Sequence, residues 1–288
     1  MSVDLSRALR RPKAVRFPFR GDHMGQAGFL LLLSLLGLSV LAPLLPLGDP
    51  AATVGPALQG PSRQWILGTD ELGRSLLPRV LEGVRETVVL SSVAVLAATV
   101  VGTALACFAT YASTRADEVL TRLADLTFSF PIVLIAILTS AVVGPGRTVA
   151  MVAIFLVTLP TVIRVVRAEV LRVMDRDFVT AAEISGATTY RVVSRHLLTN
   201  VLGVVIVQGA YSLSLGMLLE SGISFLGLGV QAPAASLGSL VGGGRIYVSI
   251  VPTYMIIPAV VLALAVLAVN LVGEALRART DPLQGGTS

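Results

Sequence analysis

Long apolar stretches that contain almost no charged residues divide this sequence, and their length restricts the fold more than any other feature. A helix rises about 1.5 Å per residue, so about 20 helical residues cross the ~30 Å hydrocarbon layer of a bilayer. A soluble core needs no apolar stretch of that length. Each stretch therefore predicts a transmembrane helix, and we expect six: residues 25–47, 87–111, 126–143, 148–166, 198–219 and 252–272.

The composition supports the same class of protein. Hydrophobic residues make up 54% of the 288 positions and charged residues only 14%, whereas a soluble domain carries roughly 25% charged residues. Such a low charge content leaves too little polar surface for a protein surrounded by water. We therefore expect an all-α polytopic membrane protein with six transmembrane helices.

The first apolar stretch has a signal peptide as its alternative interpretation. The apolar core of a signal peptide has about 7–15 residues, and residues 25–47 form a longer stretch, which favours a retained helix. The polar, basic residues 1–24 then form a cytoplasmic tail, and residues 277–288 form a second one.

Residues 48–85 are expected to form an extracytoplasmic segment. Within and just beyond it, residues 71–86 have Leu72, Leu76, Val80 and Val84 at four-residue spacing with charges elsewhere. This spacing predicts an amphipathic helix that lies at the membrane surface. Residues 86–276 would then form a five-helix core.

The distribution of basic residues indicates the orientation in the membrane. An even number of spans places both termini on one side. With Arg164 at the end of the fourth span, 16 of the 22 basic residues fall in the tails and at the loops on that side. Positive charge is retained in the cytoplasm, so both termini are expected to be cytoplasmic. The basic residues form no continuous stripe of the kind that binds nucleic acid, and no nucleic-acid partner is expected. The six basic residues expected on the opposite, extracytoplasmic side are Arg63, Arg74, Arg79, Arg85, Arg147 and Arg245.

The spans contain few groups for chemistry or ion coupling. The acidic residues nearest to the membrane interior are Asp125, Glu169, Glu220 and Glu274, and all are placed at span edges or in loops. This argues against a proton-coupled transporter, which keeps ionisable groups inside its spans, but leaves open sodium coupling through backbone carbonyls.

Catalytic, metal-binding and nucleotide-binding motifs are also missing from the sequence. One cysteine, Cys107, and two distant histidines, His23 and His196, have no metal-ligand spacing. The only lysine, Lys13, follows no Gly-rich turn, so the chain has no P-loop. We expect no catalytic residue, metal or cofactor in this chain, and any ATP must bind another subunit.

The charged loop between the fourth and fifth spans, residues 167–197, is the most informative segment. Asp177 is predicted to cap a helix from Phe178 to Ser185, and Gly186 supplies the conformational freedom to end it. Thr188 or Thr189 is predicted to cap a second helix. On the first helix Phe178, Ala181, Ala182 and Ser185 share one face.

Small residues on a short exposed helix allow another protein to approach its backbone closely. Such a helix would act as a rigid handle through which a partner moves the flanking spans. Residue spacing alone does not separate this interpretation from that of an ordinary loop at the membrane surface.

This loop resembles the cytoplasmic signature of ABC importer permeases, which reads Glu-Ala-Ala, three residues, Gly, nine residues, Ile, one residue, Leu-Pro. Ala181, Ala182, Gly186 and Leu198 match it, while Thr180, His196 and Thr199 differ. The version found in dipeptide and oligopeptide importers, Arg-His-Ile-Leu-Pro-Asn, is matched at four positions: Arg195, His196, Leu198 and Asn200.

Three further stretches resemble the C-type permease subunit of the same dipeptide/oligopeptide family. They are residues 67–74 (LGTDELGR) before the second span, residues 224–238 before the last span, and residues 270–282 at the end of the chain. The resemblance covers residues 67–282 in four ordered motifs and implies the type I ABC importer permease fold.

The family resemblance also implies partners and a location. A homologous second permease, two ATP-hydrolysing subunits that hold ATP and Mg, and an extracytoplasmic binding lipoprotein would surround the chain in the bacterial inner (plasma) membrane, with peptide as cargo. The residues that couple to an ATPase subunit, through residues 177–199, would be Asp177, Phe178, Ala181, Ala182, Gly186, Ala187, Arg191, Arg195 and His196.

An outward gate or substrate loop is expected at Ser224, Phe225, Leu226, Gly227 and Gly229, with a plain Gly-rich surface loop as the alternative. Three other functions remain open at this point. They are a nickel or other small-solute importer of the same family, a membrane scaffold without transport, and an intramembrane enzyme. For the enzyme, the sequence offers no catalytic groups.

Overall fold

The computed structural model describes residues 22–280, which fold almost entirely into helices. A π-helical stretch, Val192–Leu197, joins α7 to α8 without a break. The α-helices of this part of the chain are α1 (His23–Leu41), α2 (Leu76–Ala112), α3 (Thr114–Phe128), α4 (Ile132–Val143), α5 (Arg147–Met174), α6 (Asp177–Ile184), α7 (Thr189–Arg191), α8 (Leu198–Phe225), α9 (Leu237–Gly244) and α10 (Pro252–Thr280).

Within residues 22–280, five helices are long and apolar enough to cross a membrane: α1, α2, α5, the continuous helix Thr189–Phe225, and α10. The bent pair α3–α4 gives a sixth span if it is counted as one. The expected all-α polytopic class is therefore confirmed. Residues 1–21 and 281–288 of the expected tails lie outside the described residues.

The third span is not the continuous helix predicted over residues 126–143. Helix α3 begins at Thr114, where the Ser113 side chain accepts a hydrogen bond from the Ala116 N–H (3.2 Å), and α4 turns away from α3 by 86°. Pro131 cannot donate a backbone hydrogen bond, and it disfavours helical geometry in the residue before it. The chain therefore bends at Ser129–Pro131.

The amphipathic helix predicted over residues 71–86 is not a separate element. Helix α2 begins at Leu76 and runs for 37 residues through the whole second span, a length of about 55 Å. Pro78 does not interrupt it, because proline is tolerated in the first turn of a helix. Val80 and Val84 are buried in the protein rather than at a membrane surface.

Residues 220–251, which the sequence places between the fifth and sixth spans, are about half helical. Helix α8 extends to Phe225, and α9 occupies Leu237–Gly244. Ser236 and Ser239 form a capping box at the start of α9, with reciprocal bonds of 2.9 and 3.2 Å. Glu220, predicted at a span edge, therefore lies inside α8.

Helix α2 is central to the bundle and packs against α5, α8 and α1. The Ser39 hydroxyl donates to the Leu81 carbonyl (2.9 Å) and so joins α1 to α2. We call the end of the bundle with residues 112–114 and 175–188 the inner end. The outer end is the opposite one, with residues 48–75 and 226–251; both names refer to the predicted orientation.

Candidate functional site

The loop predicted to couple this chain to a partner is a compact helical structure at the inner end. Residues 167–174, expected in the loop, continue α5, and the predicted first helix is α6, Asp177–Ile184. The capping prediction for Asp177 is wrong. Arg176 occupies the N-cap without a side-chain bond, and Asp177 is the first helical residue, where its carboxylate faces the positive end of the helix dipole.

Gly186 ends α6 as predicted. Its φ of +79° is the left-handed conformation that side chains disfavour. The N–H of Gly186 bonds to the Glu183 carbonyl (2.9 Å) and the N–H of Ala187 to the Ala182 carbonyl (3.0 Å). This is the Schellman arrangement, which satisfies carbonyls at the helix end and fixes the angle at which the chain leaves α6.

One side of α6 is fastened to the inner end of the bundle. Val179 is buried in a cluster that includes Val173 of α5 and Val193 of the π-helical stretch. The ring of Phe178 lies 6.1 Å from the ring of His196, centroid to centroid. The structure thus brings together two residues predicted to belong to one coupling site.

The other side of α6 is open. Ala181 and Ser185 are exposed, Ala182 is half-buried, and Ile184 is 83% exposed. Two further predicted residues, Arg191 and Arg195, are exposed next to this helix, and Ala187 is half-buried. This surface is open to a protein that approaches the inner end.

The sequence analysis did not identify a contact between α6 and α2. The Tyr111 hydroxyl, one residue before the end of α2, donates to Glu183 Oε1 of α6 (2.8 Å). The two residues are 72 positions apart, and no local pattern marks either of them. Helix α6 is therefore attached to α2 as well as to the two helices that flank it in sequence.

The second predicted helix has no boundary with the fifth span. The Thr188 side chain accepts from the Arg191 N–H (3.4 Å), as predicted for the cap. The helix then continues to Phe225, and Thr199, where the ABC importer signature has proline, lies within α8. After residues 185–188, α6 is therefore followed by one continuous 37-residue helix.

Ion pairs fasten α3 to the same end of the bundle. Arg167 of α5 binds both carboxylate oxygens of Asp117 (2.6 Å each), and Asp117 also accepts from Thr110 of α2 (2.8 Å). Arg164 pairs with Asp125 (2.5 Å). The inner ends of α2, α3 and α5 are thereby held together.

At the outer end, the predicted gate residues form a turn around Glu220. Glu220 is fully buried and accepts hydrogen bonds from Ser224 (2.7 Å) and from Thr87 of α2 (2.8 Å). The Ser224 hydroxyl in turn accepts from the Val230 N–H (3.1 Å). The predicted loop is therefore anchored through the carboxyl group of Glu220, a residue that the sequence places at the edge of a span.

The other predicted gate residues, Phe225, Leu226, Gly227 and Gly229, follow Ser224 in the same turn. Gly227 has a φ of +79°, and Leu226 is exposed. Arg245, after α9, lies 5.0 Å above the centre of the Phe225 ring. The side-chain amide of Gln231 donates to the Gly229 carbonyl (2.9 Å).

A second buried polar cluster stands in the motif 67–74. Asp70 is fully buried and pairs with Arg74 (2.6 Å) and Arg79 (3.2 Å), both predicted as loop charges. Tyr254 of α10 bonds to the neighbouring Glu71. The motif thus forms a folded cap that joins the start of α2 to the start of α10.

Comparison with known proteins places these features in a family. The family described as "Binding-protein-dependent transport system inner membrane component" matches residues 98–284. The Di/tripeptide transport system permease protein DppC of Pseudomonas aeruginosa is 34% identical over 262 residues, which cover 88% of this chain and 86% of that protein. The probable D,D-dipeptide transport system permease protein DdpC of Escherichia coli is 31% identical over 287 residues, which cover 97% and 96%.

A solved structure of the MetNI methionine ABC transporter in inward-facing conformations has a similar chain. The TM-score is 0.60 at 19% identity, over 72% of this chain and 98% of that chain. This similarity shows the fold, and it confirms the importer-permease architecture expected from the four sequence motifs.

Proposed function

Because this chain belongs to the family of binding-protein-dependent transport system inner membrane components, we propose that it is a permease subunit of an ATP-driven ABC importer of peptides. The peptide cargo is supported by the relatives from Pseudomonas aeruginosa and Escherichia coli, whose names describe dipeptide or tripeptide transport. The chain itself performs no catalysis, and its role is to form the path and to change shape.

The observation that supports this role most strongly is the attachment of α6. An exposed helix that a partner can bind is joined to α2 through Tyr111 and to the π-helical stretch before α8 through His196, and it follows α5 directly in the chain. Movement of α6 would therefore tilt three spans together. A partner that binds α6 can shift the equilibrium between the inward-open and outward-open conformations only if its binding free energy differs between them.

In the proposed cycle, an ATP-binding subunit holds α6 in a cleft. ATP and Mg bind between two such subunits and draw them together, and the inner ends of this chain and of a homologous second permease follow. The path then opens outward, and hydrolysis resets it. Asp177, Phe178, Ala181, Ala182 and Gly186 would form the contact.

An extracytoplasmic binding lipoprotein would deliver the peptide to the outer end, at residues 48–75 and 226–251. In this arrangement the chain crosses the bacterial inner membrane with both termini in the cytoplasm. Lipid would contact the exposed apolar faces of α1 and α4, on which Leu30, Leu33, Ile137 and Leu138 lie.

The test is uptake by proteoliposomes that contain the whole importer and its binding protein. A labelled tripeptide should accumulate only with ATP on the side of α6, and ATP hydrolysis should rise with the peptide. Accumulation of Ni²⁺ instead of peptide would assign the other cargo. An assembled complex whose ATP hydrolysis responds to neither would indicate a scaffold.

A further inference from the structure

A polar cleft of about 520 Å³ lies between α5, α8 and α10. It extends along α8 from Asn200 to Tyr211, a length of about 16 Å, and so passes the middle of the predicted fifth span. A second cleft of about 590 Å³, beside the start of α6, shares Glu169, Arg172 and Asn200 with it. The two clefts therefore adjoin, and together they lead from the fifth span to the inner end.

Charged and hydrogen-bonding side chains line the cleft between α5, α8 and α10. Arg172 of α5 and Arg277 of α10 line it from different helices, and both are exposed. Gln208 and Tyr211 of α8 add an amide group and a hydroxyl. Among the described residues that line the cleft, Glu169 is the one acidic residue. The lining therefore carries an excess of positive charge.

Glu169 holds the guanidinium group of Arg172 in place. Nε and Nη2 of Arg172 donate to the two carboxylate oxygens of Glu169 (3.0 and 2.5 Å). The Glu169 side chain is only 14% exposed, whereas that of Arg172 is 63% exposed. Arginine carries further N–H groups in the same planar fork, so Arg172 can bind an anion in the cleft while it stays paired with Glu169.

The position of these polar groups indicates a water-filled cleft. Glu169 and Glu274, which the sequence places at span edges or in loops, lie inside α5 and α10. The Tyr211 hydroxyl, within the predicted fifth span, donates to Glu274 (2.6 Å). Ionisable residues within transmembrane helices face the bundle interior or a water-filled cavity, and they mark substrate pathways.

A peptide carries one group that matches this lining whatever its sequence. Its C-terminal carboxylate is an anion that a guanidinium group binds through two parallel N–H···O bonds. The side-chain amides of Asn200 and Gln208 supply further donors for its main-chain carbonyls. A Ni²⁺ ion, the alternative cargo, would instead meet two arginines of its own sign.

We propose that this cleft is a cargo site in the inner half of the peptide path, and that Arg172 and Arg277 bind the C-terminal carboxylate of the peptide there. Glu169 is a positioning residue, because it acts through Arg172. The inference rests on the proposed function, because it requires a peptide cargo. It explains how one site can hold peptides of varied sequence.

The first test compares two cargoes that differ only at the C-terminus, a labelled tripeptide and its C-terminal amide. Any preference of the binding protein between them cancels when permease variants are compared. The double variant Arg172→Gln/Arg277→Gln should lower the ratio of kcat/KM for the free acid to that for the amide by about tenfold, the effect of losing hydrogen bonds to a charged group. An unchanged ratio would overturn the assignment.

The matched control is Arg122→Gln. Arg122 of α3 is also an exposed arginine paired within its own helix, with Glu118, but it does not line the cleft. Its replacement should change the ratio by less than about twofold. If the unmodified importer takes up neither peptide, the proposed function fails; if it imports both and the double variant keeps the same ratio, the cleft assignment alone fails.

Glu169→Gln tests the positioning role. Arg172 keeps its charge in this variant but loses the carboxylate that orients it, so the ratio should fall by a smaller factor, about threefold. Uptake of the amide should not change, whereas a general loss of stability would lower the uptake of both peptides. Equal losses for the two peptides would contradict the positioning role.

A second measurement does not require transport, and it decides the matter if the double variant imports neither peptide. Asn200→Cys places a thiol at an exposed position that lines both clefts, while the native Cys107 is buried. In the whole importer, in phosphatidylcholine vesicles with the inner end outward, millimolar tripeptide should slow the reaction of this thiol with a maleimide severalfold. The amide should not, and Arg172→Gln/Arg277→Gln should abolish the protection.

The same measurement separates the peptide carboxylate from other anions. A phosphate on a lipid would also suit two guanidinium groups. Protection that appears with phosphatidylglycerol in the vesicle and not with the tripeptide would assign the cleft to a lipid headgroup and overturn the proposal. Equal protection by the free acid and the amide, or by neither, would also overturn it.

Discussion

Replacing Thr87 with valine should loosen the outer end, because one hydroxyl there joins three helices. Thr87 Oγ1 of α2 donates to Glu220 of α8 (2.8 Å) and accepts from the Leu237 N–H at the start of α9 (3.2 Å). Thr87 and Glu220 are fully buried. Valine has the same shape but forms neither bond, so the Leu237 N–H is left without a partner, and Glu220 keeps only its hydrogen bonds from Ser224 and Ser221.

A buried donor left without a partner costs ~1–3 kcal/mol, and the loss of one hydrogen bond to a carboxylate that keeps others costs ~1 kcal/mol. Together they give a loss of about 3 kcal/mol, which lowers Tm by about 6–12 °C for a chain of this size. The assay is thermal unfolding of the purified importer in detergent, followed by the fluorescence of a thiol-reactive dye that reports exposure of the buried Cys107.

Thr158→Val is the control, since it removes an equally buried hydroxyl that has no partner among the described residues. Its Tm should stay within about 2 °C of the unmodified protein. Equal shifts in Thr87→Val and Thr158→Val would refute the reasoning, because the hydrogen bonds at Thr87 would then contribute nothing.

Three further predictions concern other contacts. Tyr111→Phe removes the bond to α6 and should reduce the peptide imported per ATP hydrolysed by about fivefold, measured as the ratio of uptake to phosphate release; an unchanged ratio would show that α6 moves independently of α2. Gly186→Ala forces a side chain into a left-handed conformation at a cost of ~1–2 kcal/mol and should lower the same ratio, whereas Gly222→Ala, in ordinary helical backbone with open space around it, should not. Asp70→Asn removes the carboxylate that pairs with the buried Arg79, and it leaves the buried Arg74 with only its longer contact to Glu71. A loss of ~3–5 kcal/mol should therefore appear as rapid proteolysis of residues 48–75. Glu118→Gln in an exposed ion pair should have little effect, and equal proteolysis of the two variants would contradict this.

The spans and the coupling loop could be predicted because local signals determine them. Apolar length fixes where a helix can cross a bilayer, and the six predicted blocks are found in six helical spans once α3–α4 is counted as one. Gly186 marked the end of α6 because a positive φ is difficult for other residues.

Proline alone did not indicate which helix would break. Pro160 and Pro258 are buried within α5 and α10, which continue through them, whereas the exposed Pro131 stands at the bend between α3 and α4. A helix that contains proline can remain continuous where neighbouring helices satisfy the backbone groups that proline leaves free. That support depends on tertiary packing, which a single sequence does not reveal.

The buried polar clusters could not be found from the sequence for a related reason. Glu220 and Thr87 are 133 residues apart, and Asp70 is indistinguishable in sequence from a carboxylate in a solvated loop. Their burial depends in part on partners that α2 supplies, Thr87 for Glu220 and Arg79 for Asp70. For the same reason, nothing in the sequence marked Tyr111 as a partner of α6.

The central claim is that an ATP-binding subunit grips α6, and photo-crosslinking in a peptide-importing complex tests it most directly. A photoreactive residue at Ser185, the exposed residue that follows α6, should capture an ATP-binding subunit, while one at Ile66, exposed at the outer end, should not. If the complex imports peptide and Ser185 captures no ATP-binding subunit, the coupling role of this helix is wrong.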